Sequence, residues 1–261
     1  SYIERMREMA EAKPYGTVLI KAAKIMDHLS EHPNHSLQEI ANSTEMTAST
    51  TIKILDTLVL IGYVQKNEDK SYRLGSKLIR YANQRLEQLD LAEITYPYLE
   101  SLQQTIDETI HLGILNDNEI LYINKLEPKH QTIRMSSKVG ITRPLYSSAM
   151  GKAVLAKFAQ PEFEAYLDSH VLTPYTENTI TNPLRLAKEL EEIQKTDVAF
   201  DDEEMEMDIF CIGASIEKED QIIGAFSVSM PKYRLNEKNK ELIIQAVLKT
   251  KKELEQVLTN K

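Results

Sequence analysis

The sequence predicts an α+β (or α/β) chain of two domains: a small helical module closed by a β-hairpin, and a larger domain with a mainly antiparallel sheet flanked by helices. The chain has 261 residues, which is long for one domain and sufficient for two. Three helical patterns and two short strand patterns fill residues 15–74. Beyond residue 90, strands come first, then helices, then strands and a closing helix, an order typical of such domains.

The first two helices are predicted by periodicity and by capping residues. The apolar positions of the first recur at spacings of three and four and are Val18, Ala22, Ile25 and Leu29. This helix should end near Pro33, because proline cannot continue it. Ser36 followed by Glu39 is a capping-box pattern for a short helix over residues 37–42.

A third helix is predicted from Thr47, as its N-cap, to about residue 61, where Gly62 stops it. Its apolar face comprises Ala48, Thr51, Ile52, Leu55, Leu58 and Val59. Its opposite, polar face comprises Ser49, Thr50, Lys53 and Thr57. Helix, short helix, tight turn and helix is the helix-turn-helix order. Hydroxyl and ammonium groups near a helix N-terminus suit phosphates and base edges, and the alternative is a polar face that only contacts water.

The residues after this helix form a hairpin pattern, with strands at 62–65 and 71–74 joined by a polar turn. Its basic residues are Lys66, Lys70 and Arg73. We expect this hairpin to be a wing whose cations reach a phosphate backbone, so the module is predicted to bind double-stranded DNA. The alternative is a winged helix that contacts a protein, and steep salt dependence would distinguish DNA binding from it.

The rest of the chain is assigned in the same way. Predicted helices cover 75–88, 91–106, 149–158, 161–169, 183–195 and 236–258, and predicted strands cover 109–115, 120–126, 131–135, 210–216 and 222–229. The predicted boundaries are residues 1–76 for the winged helix-turn-helix domain, 77–90 for an interdomain helix and 91–261 for the larger domain.

The charge distribution is compatible with a DNA-binding module. The net charge is −9, but residues 1–80 carry +1 and the remainder −10. Since +1 is little for a DNA-binding surface, we expect a dimer to supply the basic contacts. No apolar run approaches the roughly 18 residues of a spanning helix, and the first 13 residues do not resemble a secretory signal. A soluble, cytoplasmic protein without membrane contact is expected.

Nothing in the sequence favours catalysis. It contains no GxSxG elbow, phosphate-cradling glycine loop or dinucleotide fingerprint. Six histidines lack HExxH spacing and Cys211 is the single cysteine, so we expect no disulfide, metal or cofactor. The alternative is an enzyme with Cys211 as nucleophile, which requires a base within hydrogen-bonding reach.

Several long motifs in order resemble the IclR family of bacterial regulators over nearly the whole chain. They are GYV and YRLG (62–64, 72–75), PLYSSAMGKAVLA (144–156), DDEE (201–204) followed by Cys211, and SVS (227–229). ETIHLG (108–113), YINK (122–125) and RMSSKVG (134–140) resemble its branch of 2-keto-3-deoxygluconate repressors of pectin and hexuronate catabolism.

The resemblance implies a GAF-like effector domain, a homodimer or dimer of dimers, and a small organic or sugar acid as ligand. Backbone donors at the positions Ser148, Ala149, Met150 and Gly151 would hold that ligand, in a pocket lined by Asp201, Cys211, Ser227 and Ser229. A repressor released from a pseudopalindromic operator is expected, and an activator sensing another carboxylate is the alternative.

The residues themselves suit such a ligand. A helix N-terminus at Ser148 can hold a carboxylate, and the hydroxyls of Ser147, Ser148, Ser227 and Ser229 can bind a polyol. The alternative is that these serines only cap a helix and face solvent on an edge strand. His111 and Arg134 are further candidates for contact with an anion.

Overall fold

The computed structural model describes residues 16–87, 91–133 and 135–259, which form two compact units divided between residues 87 and 91. The elements of the N-terminal unit are α1 (Thr17–Glu31), β1 (His35–Ser36), α2 (Leu37–Ser43), α3 (Ala48–Leu60), β2 (Val64–Lys66), β3 (Ser71–Leu74) and α4 (Lys77–Glu87). The predicted helices and hairpin of this unit are confirmed.

Capping determines where α2 and α3 begin. The Ser36 hydroxyl accepts a hydrogen bond from the Glu39 amide, and the Glu39 carboxylate accepts one from the Ser36 amide at 2.7 Å. Thr47 caps α3 by accepting from the Thr50 amide at 3.2 Å. Gly62 follows the end of α3 with φ of +82°, a conformation that glycine adopts without strain.

The core of this unit contains apolar side chains from its helices and hairpin. Its buried members are Ile25, Leu29, Ile40, Ile54, Leu55, Leu58, Val64 and Tyr72. The predicted apolar face of α3 is wrong at two positions, since Ile54 is buried and Ala48 is exposed. The short β1 extends the hairpin to a three-stranded antiparallel sheet in the order β1-β3-β2.

The C-terminal unit contains six strands and five α-helices among its described residues. These are α5 (Leu91–Ile106), β4 (Thr109–Asn116), β5 (Glu119–Leu126), β6 (Thr142–Pro144), α6 (Ala149–Leu155), α7 (Gln160–Ser169), α8 (Pro183–Thr196), β7 (Ala199–Asp202), β8 (Ile209–Lys218), β9 (Gln221–Pro231) and α9 (Glu237–Thr259). The strands form one antiparallel sheet in the order β6-β5-β4-β9-β8-β7. This confirms the predicted antiparallel sheet flanked by helices.

Helices cover both faces of this sheet. Gly213 of β8 lies against the first turn of α6, where an added Cβ would come within 2.9 Å of the Ala149 carbonyl carbon. Gly224 of β9 faces the other way, against Leu91 of α5. Helix α9 packs on β8 and on α5. No helix among the described residues is both long and apolar enough to cross a membrane.

Three predictions about this unit are corrected by the structure. Residues 131–133 and 135 are not a strand, because the Met135 carbonyl accepts a hydrogen bond from the Lys125 ammonium at 2.6 Å rather than from a neighbouring strand. The helix predicted over 149–158 ends at Leu155. The acidic run after residue 200 is not only a loop, since Asp201 and Asp202 end β7.

Candidate functional site

The N-terminal unit presents the predicted polar face of α3 to solvent. Ser49, Lys53 and Thr57 are exposed, and Thr50 is half-buried. Two of the hydroxyls already have partners within the helix. Thr50 bonds the Thr47 hydroxyl at 3.0 Å, and Thr57 donates to the Lys53 carbonyl at 2.9 Å. Ser49 and Lys53 are therefore the side chains of this face that are best placed to contact another molecule.

The hairpin adds three exposed cations. Lys66 lies over the Tyr72 ring at 5.5 Å, and Lys70 occupies the turn with φ of +66°. The Arg73 guanidinium donates to the Gln65 side-chain oxygen at 3.1 Å, which holds it along the strand. Within the described ranges, no carboxylate lies within 4.0 Å of these cations or of Lys53. These exposed cations thus suit an anionic partner.

In the C-terminal unit, the sheet brings five of the predicted pocket residues together on the face covered by α6. Cross-strand pairing aligns Asp201 of β7, Cys211 of β8 and Ser229 of β9 in one row. The next row contains Ser227 of β9 and His111 of β4. Because paired residues of an antiparallel sheet point to the same side, all five share one face. Ser227 and Ser229 lie on a central strand, so the edge-strand alternative is wrong.

A cavity of about 240 Å³ opens over these rows. Three predicted residues line it, namely His111, Cys211 and Ser229. Ser147, Ser148, Ala149, Met150, Gly151, Asp201 and Ser227 are buried around it rather than at its surface, and their contact with a ligand stays a prediction. Arg134 lies outside the described residues. The volume is below the roughly 300–1,000 Å³ of sites for drug-sized ligands, so the cavity suits a small metabolite.

His111 of β4 connects the sheet to residues 135–137, which line the cavity. Its Nδ1 lies 3.2 Å from the Ser229 hydroxyl and its Nε2 lies 2.6 Å from the Ser137 hydroxyl. Burial, with a smaller effect of the cations Lys125 and Arg143, lowers the pKa of His111 to about 3. A neutral imidazole has one donor and one acceptor nitrogen, which matches two hydroxyl partners.

The start of α6 is held by bonds within the chain. The Ser148 hydroxyl accepts from the Gly151 amide at 3.1 Å and donates to the Pro144 carbonyl at 2.8 Å. Ser148 therefore caps the helix and is buried, and its contact with a ligand stays a prediction. The Ser147 hydroxyl lies 2.9 Å from the sulfur of Met205, a cavity-lining residue. Through Met205, Ser147 contacts the cavity wall.

Asp201 shapes the acidic loop at the cavity rim. Its Oδ1 accepts hydrogen bonds from the amides of Glu204 at 2.8 Å and Met205 at 3.3 Å. Burial raises the pKa of Asp201 to about 6, although these amides and Lys152 oppose the shift. Burial also raises the pKa of Glu204 to about 7, against the opposing effect of the fully buried Lys152 ammonium, which bonds Glu204. Through these two hydrogen bonds, Asp201 holds the backbone of Glu204 and Met205 at the rim of the cavity.

Cys211 is poorly suited to act as a nucleophile. Burial raises the pKa of its thiol, and the nearby Asp201 carboxylate raises it further. The reactive form of a cysteine is the thiolate, which this environment disfavours. The hydrogen bonds of His111 go to two serines, so the imidazole does not serve as a base for the thiol.

Several cavity residues were not predicted from the sequence, among them Tyr122, Ser137 and Arg143. Tyr122 packs against His111, with ring centroids 4.8 Å apart. Arg143 follows the RMSSKVG segment and belongs to β6. The signal that could have identified Arg143 is a lone arginine in a short strand just before the predicted ligand-binding turn.

A helix-turn-helix with a basic wing and a second domain with a small cavity define the class of ligand-responsive transcriptional regulators. A family model described as the bacterial transcriptional regulator IclR C-terminal domain matches residues 83–256, and one described as the IclR helix-turn-helix domain matches residues 18–68. The chain belongs to the IclR family of bacterial transcriptional regulators.

Individual relatives agree with this assignment. The transcriptional regulator KdgR of Escherichia coli is 31% identical over 84% of this chain and 84% of its own. The DNA-binding transcriptional repressor YiaJ of E. coli is 31% identical over 95% of this chain and 90% of its own. The crystal structure of Thermotoga maritima IclR superposes with a TM-score of 0.78 at 33% identity, covering 93% of this chain and 99% of that one. Relatives of this kind are regulators and not enzymes, so the alternative of a cysteine-dependent enzyme is set aside.

Proposed function

We propose that this protein represses genes of sugar-acid catabolism, such as those for pectin and hexuronates, and is released from its operator by a small organic acid such as 2-keto-3-deoxygluconate. The similarity to KdgR supports the gene class. The small cavity on the C-terminal sheet supports a ligand of a few carbon atoms. Activation by a different carboxylate is the alternative within the same family.

The proposal of DNA binding rests on one observation. The polar face of α3 is exposed to solvent, and the wing of the same unit bears three exposed cations. Ser49 and Lys53 would meet base edges or phosphates in the major groove, as recognition helices do. Lys66, Lys70 and Arg73 would contact phosphates beside it, which fix register without reading sequence. A homodimer, or a dimer of dimers, would place two such units on half-sites about 10 base pairs apart in a pseudopalindrome.

DNA binding is tested by selecting sequences from genomic DNA and measuring fluorescence anisotropy over a salt series. Each phosphate contact contributes about one unit to the slope of log affinity against log salt. Arg73→Ala should weaken binding to all sequences and lower that slope by about one. Lys252→Ala, which removes an exposed cation from the C-terminal unit, is the matched control and should match wild type.

Two results of this experiment would contradict the proposal. One is the absence of a selected sequence at low salt, and the other is a slope that Arg73→Ala leaves unchanged. The first would favour a winged helix that contacts a protein, and the second would remove Arg73 from the phosphate contacts. Sedimentation of the protein with one operator then gives the number of chains per site.

Ligand release requires an effector with different affinities for the DNA-competent and DNA-incompetent arrangements, because equal affinities shift no population. The helix α4 is the last helix of the N-terminal unit before the C-terminal unit begins in the chain, and we expect it to transmit the change. Thermal unfolding against a panel of keto acids and sugar acids identifies the effector. A ligand at about 100 times its Kd adds roughly 2.7 kcal/mol. If no acid raises the unfolding temperature, 2-keto-3-deoxygluconate is removed as the effector. A reporter gene distinguishes repression from activation.

A further inference from the structure

Arg143 reaches the cavity from the edge of the C-terminal sheet. It lies in β6 opposite Ile120 of β5, so its side chain shares a face with Ile120 and with Tyr122 two residues further along. This is the face covered by α6, since Met150 of that helix lies near Ile120 at Gly113. Arg143 is half-buried and lines the cavity, as Tyr122 does.

The Arg143 guanidinium has little compensation for its charge. Across the described ranges, no carboxylate lies within 4.0 Å of it. Its hydrogen bond to the Thr142 carbonyl is long, at 3.4 Å. Lys125, a neighbouring cation, differs because it bonds the Glu127 carboxylate at 2.7 Å and the carbonyls of Met135 and Ser137. A guanidinium has five donors in a planar fork, and most of those of Arg143 are available to a ligand.

Three groups that line the cavity with Arg143, namely His111, Tyr122 and Cys211, are uncharged at neutral pH. Burial lowers the pKa of His111 to about 3 and raises the pKa of both the Tyr122 phenol and the Cys211 thiol. The described acidic residue of the lining is Glu206, which is exposed at the rim. Among the described lining residues, Arg143 is the cation. Because an uncompensated charge is costly away from water, a ligand with one negative charge would complement it.

We propose that the Arg143 guanidinium binds the carboxylate of the effector, while the hydroxyls of Ser137 and Ser229 bind its polar substituents. The ligand class is a small hydroxy- or keto-monocarboxylate. This inference rests on the effector site of the proposed function and moves the carboxylate away from the start of α6. At the start of α6, the Ser148 hydroxyl already accepts a hydrogen bond from the Gly151 amide and donates one to the Pro144 carbonyl.

The test is calorimetric titration of the full-length protein with 2-keto-3-deoxygluconate, gluconate, pyruvate and glycolate, and with the corresponding uncharged amides. The variants are Arg143→Met, Arg143→Lys and the control Lys138→Met. Lys138 is an exposed cation in the segment before β6 and does not line the cavity. Thermal unfolding without ligand checks that each variant folds.

Wild type should bind at least one acid and reject its amide. Arg143→Met should bind that acid at least about 100-fold more weakly, because two charge-assisted hydrogen bonds are lost. Arg143→Lys should have intermediate affinity, since an ammonium keeps the charge without the fork. If Arg143→Met does not fold, the affinity of Arg143→Lys still tests the role of the guanidinium. Lys138→Met should bind as wild type does.

The inference is overturned if Arg143→Met binds the acid with wild-type affinity, if amides bind as well as acids, or if wild type binds no member of the panel at millimolar concentration. Failure of the proposed effector gives a different result. In that case another acid binds through Arg143 while 2-keto-3-deoxygluconate does not, or 2-keto-3-deoxygluconate binds through Arg143 without weakening operator binding.

Discussion

His111 should give the C-terminal unit a pH-dependent stability that a single substitution removes. Its pKa is about 3 in the folded protein, against 6.5 for an unperturbed histidine. Between these values the unfolded chain binds a proton that the folded chain does not, so the free energy of unfolding falls as pH is lowered from 7.5. At pH 5 the unfolded imidazole is protonated and the folded one is not. The loss amounts to about 2 kcal/mol, from 1.36 kcal/mol per pH unit.

The measurement compares wild type with His111→Gln in urea at pH 7.5 and pH 5. Hydrogen exchange of peptides from β4 and β9 reports the C-terminal unit alone, which avoids mixing the two units in one transition. His111→Gln lowers stability at both pH values, since the serine hydroxyls lose partners. The free energy of unfolding should nevertheless fall between pH 7.5 and pH 5 by about 2 kcal/mol less in His111→Gln than in wild type.

His32→Gln is the control, because His32 is exposed and lies in the N-terminal unit. It should leave the pH dependence of β4 and β9 unchanged. Asp201 and Glu204 also titrate in this range, but their effects are common to both proteins and cancel in the comparison. If His111→Gln keeps the full wild-type pH dependence, the buried, neutral imidazole described above is refuted.

Three further predictions concern single residues. Ser36→Ala should lower the stability of the N-terminal unit by about 1 kcal/mol, because it removes the capping box of α2; urea unfolding that matches wild type would contradict this. Gly213→Val should destabilise the C-terminal unit by roughly 1–3 kcal/mol. The reason is that an added Cβ comes within 3.0 Å of the Met150 amide nitrogen. Calorimetry should also show that Gly213→Val binds the effector more weakly than wild type. Cys211 should react slowly with iodoacetamide in the native protein and quickly in urea, whereas rapid native alkylation would show an accessible thiolate.

Local signals were sufficient for much of the fold. The capping pairs at Ser36 and Thr47 and the stop at Gly62 each depend on neighbours within four residues, so they could be read from the sequence. The same holds for the β4–β5 hairpin, where Asp117 and Asn118 adopt positive φ in a tight turn. The strand β7 was missed because its acidic residues resemble a solvated loop, while its pairing with β8 involves residues distant in sequence.

The cavity was only partly predictable for the same reason. His111, Cys211 and Ser229 were expected from motifs, but the placement of Arg143 depends on pairing between β5 and β6 and on the register that puts it opposite Ile120. The segment from Gln131 to Met135 has the alternation of a strand. Its residues Ile133 and Met135 nevertheless line the cavity, and Lys125 bonds the Met135 carbonyl.

The most direct test of the account is the operator affinity of the full-length protein, measured by fluorescence anisotropy with and without a saturating acid that calorimetry has shown to bind. Coupling between the two sites should weaken operator binding by about 5- to 150-fold, which corresponds to 1–3 kcal/mol. Arg143→Met should bind the operator as tightly as wild type and lose this response to the acid. Operator affinity that stays the same when the acid is bound would contradict a ligand-released repressor.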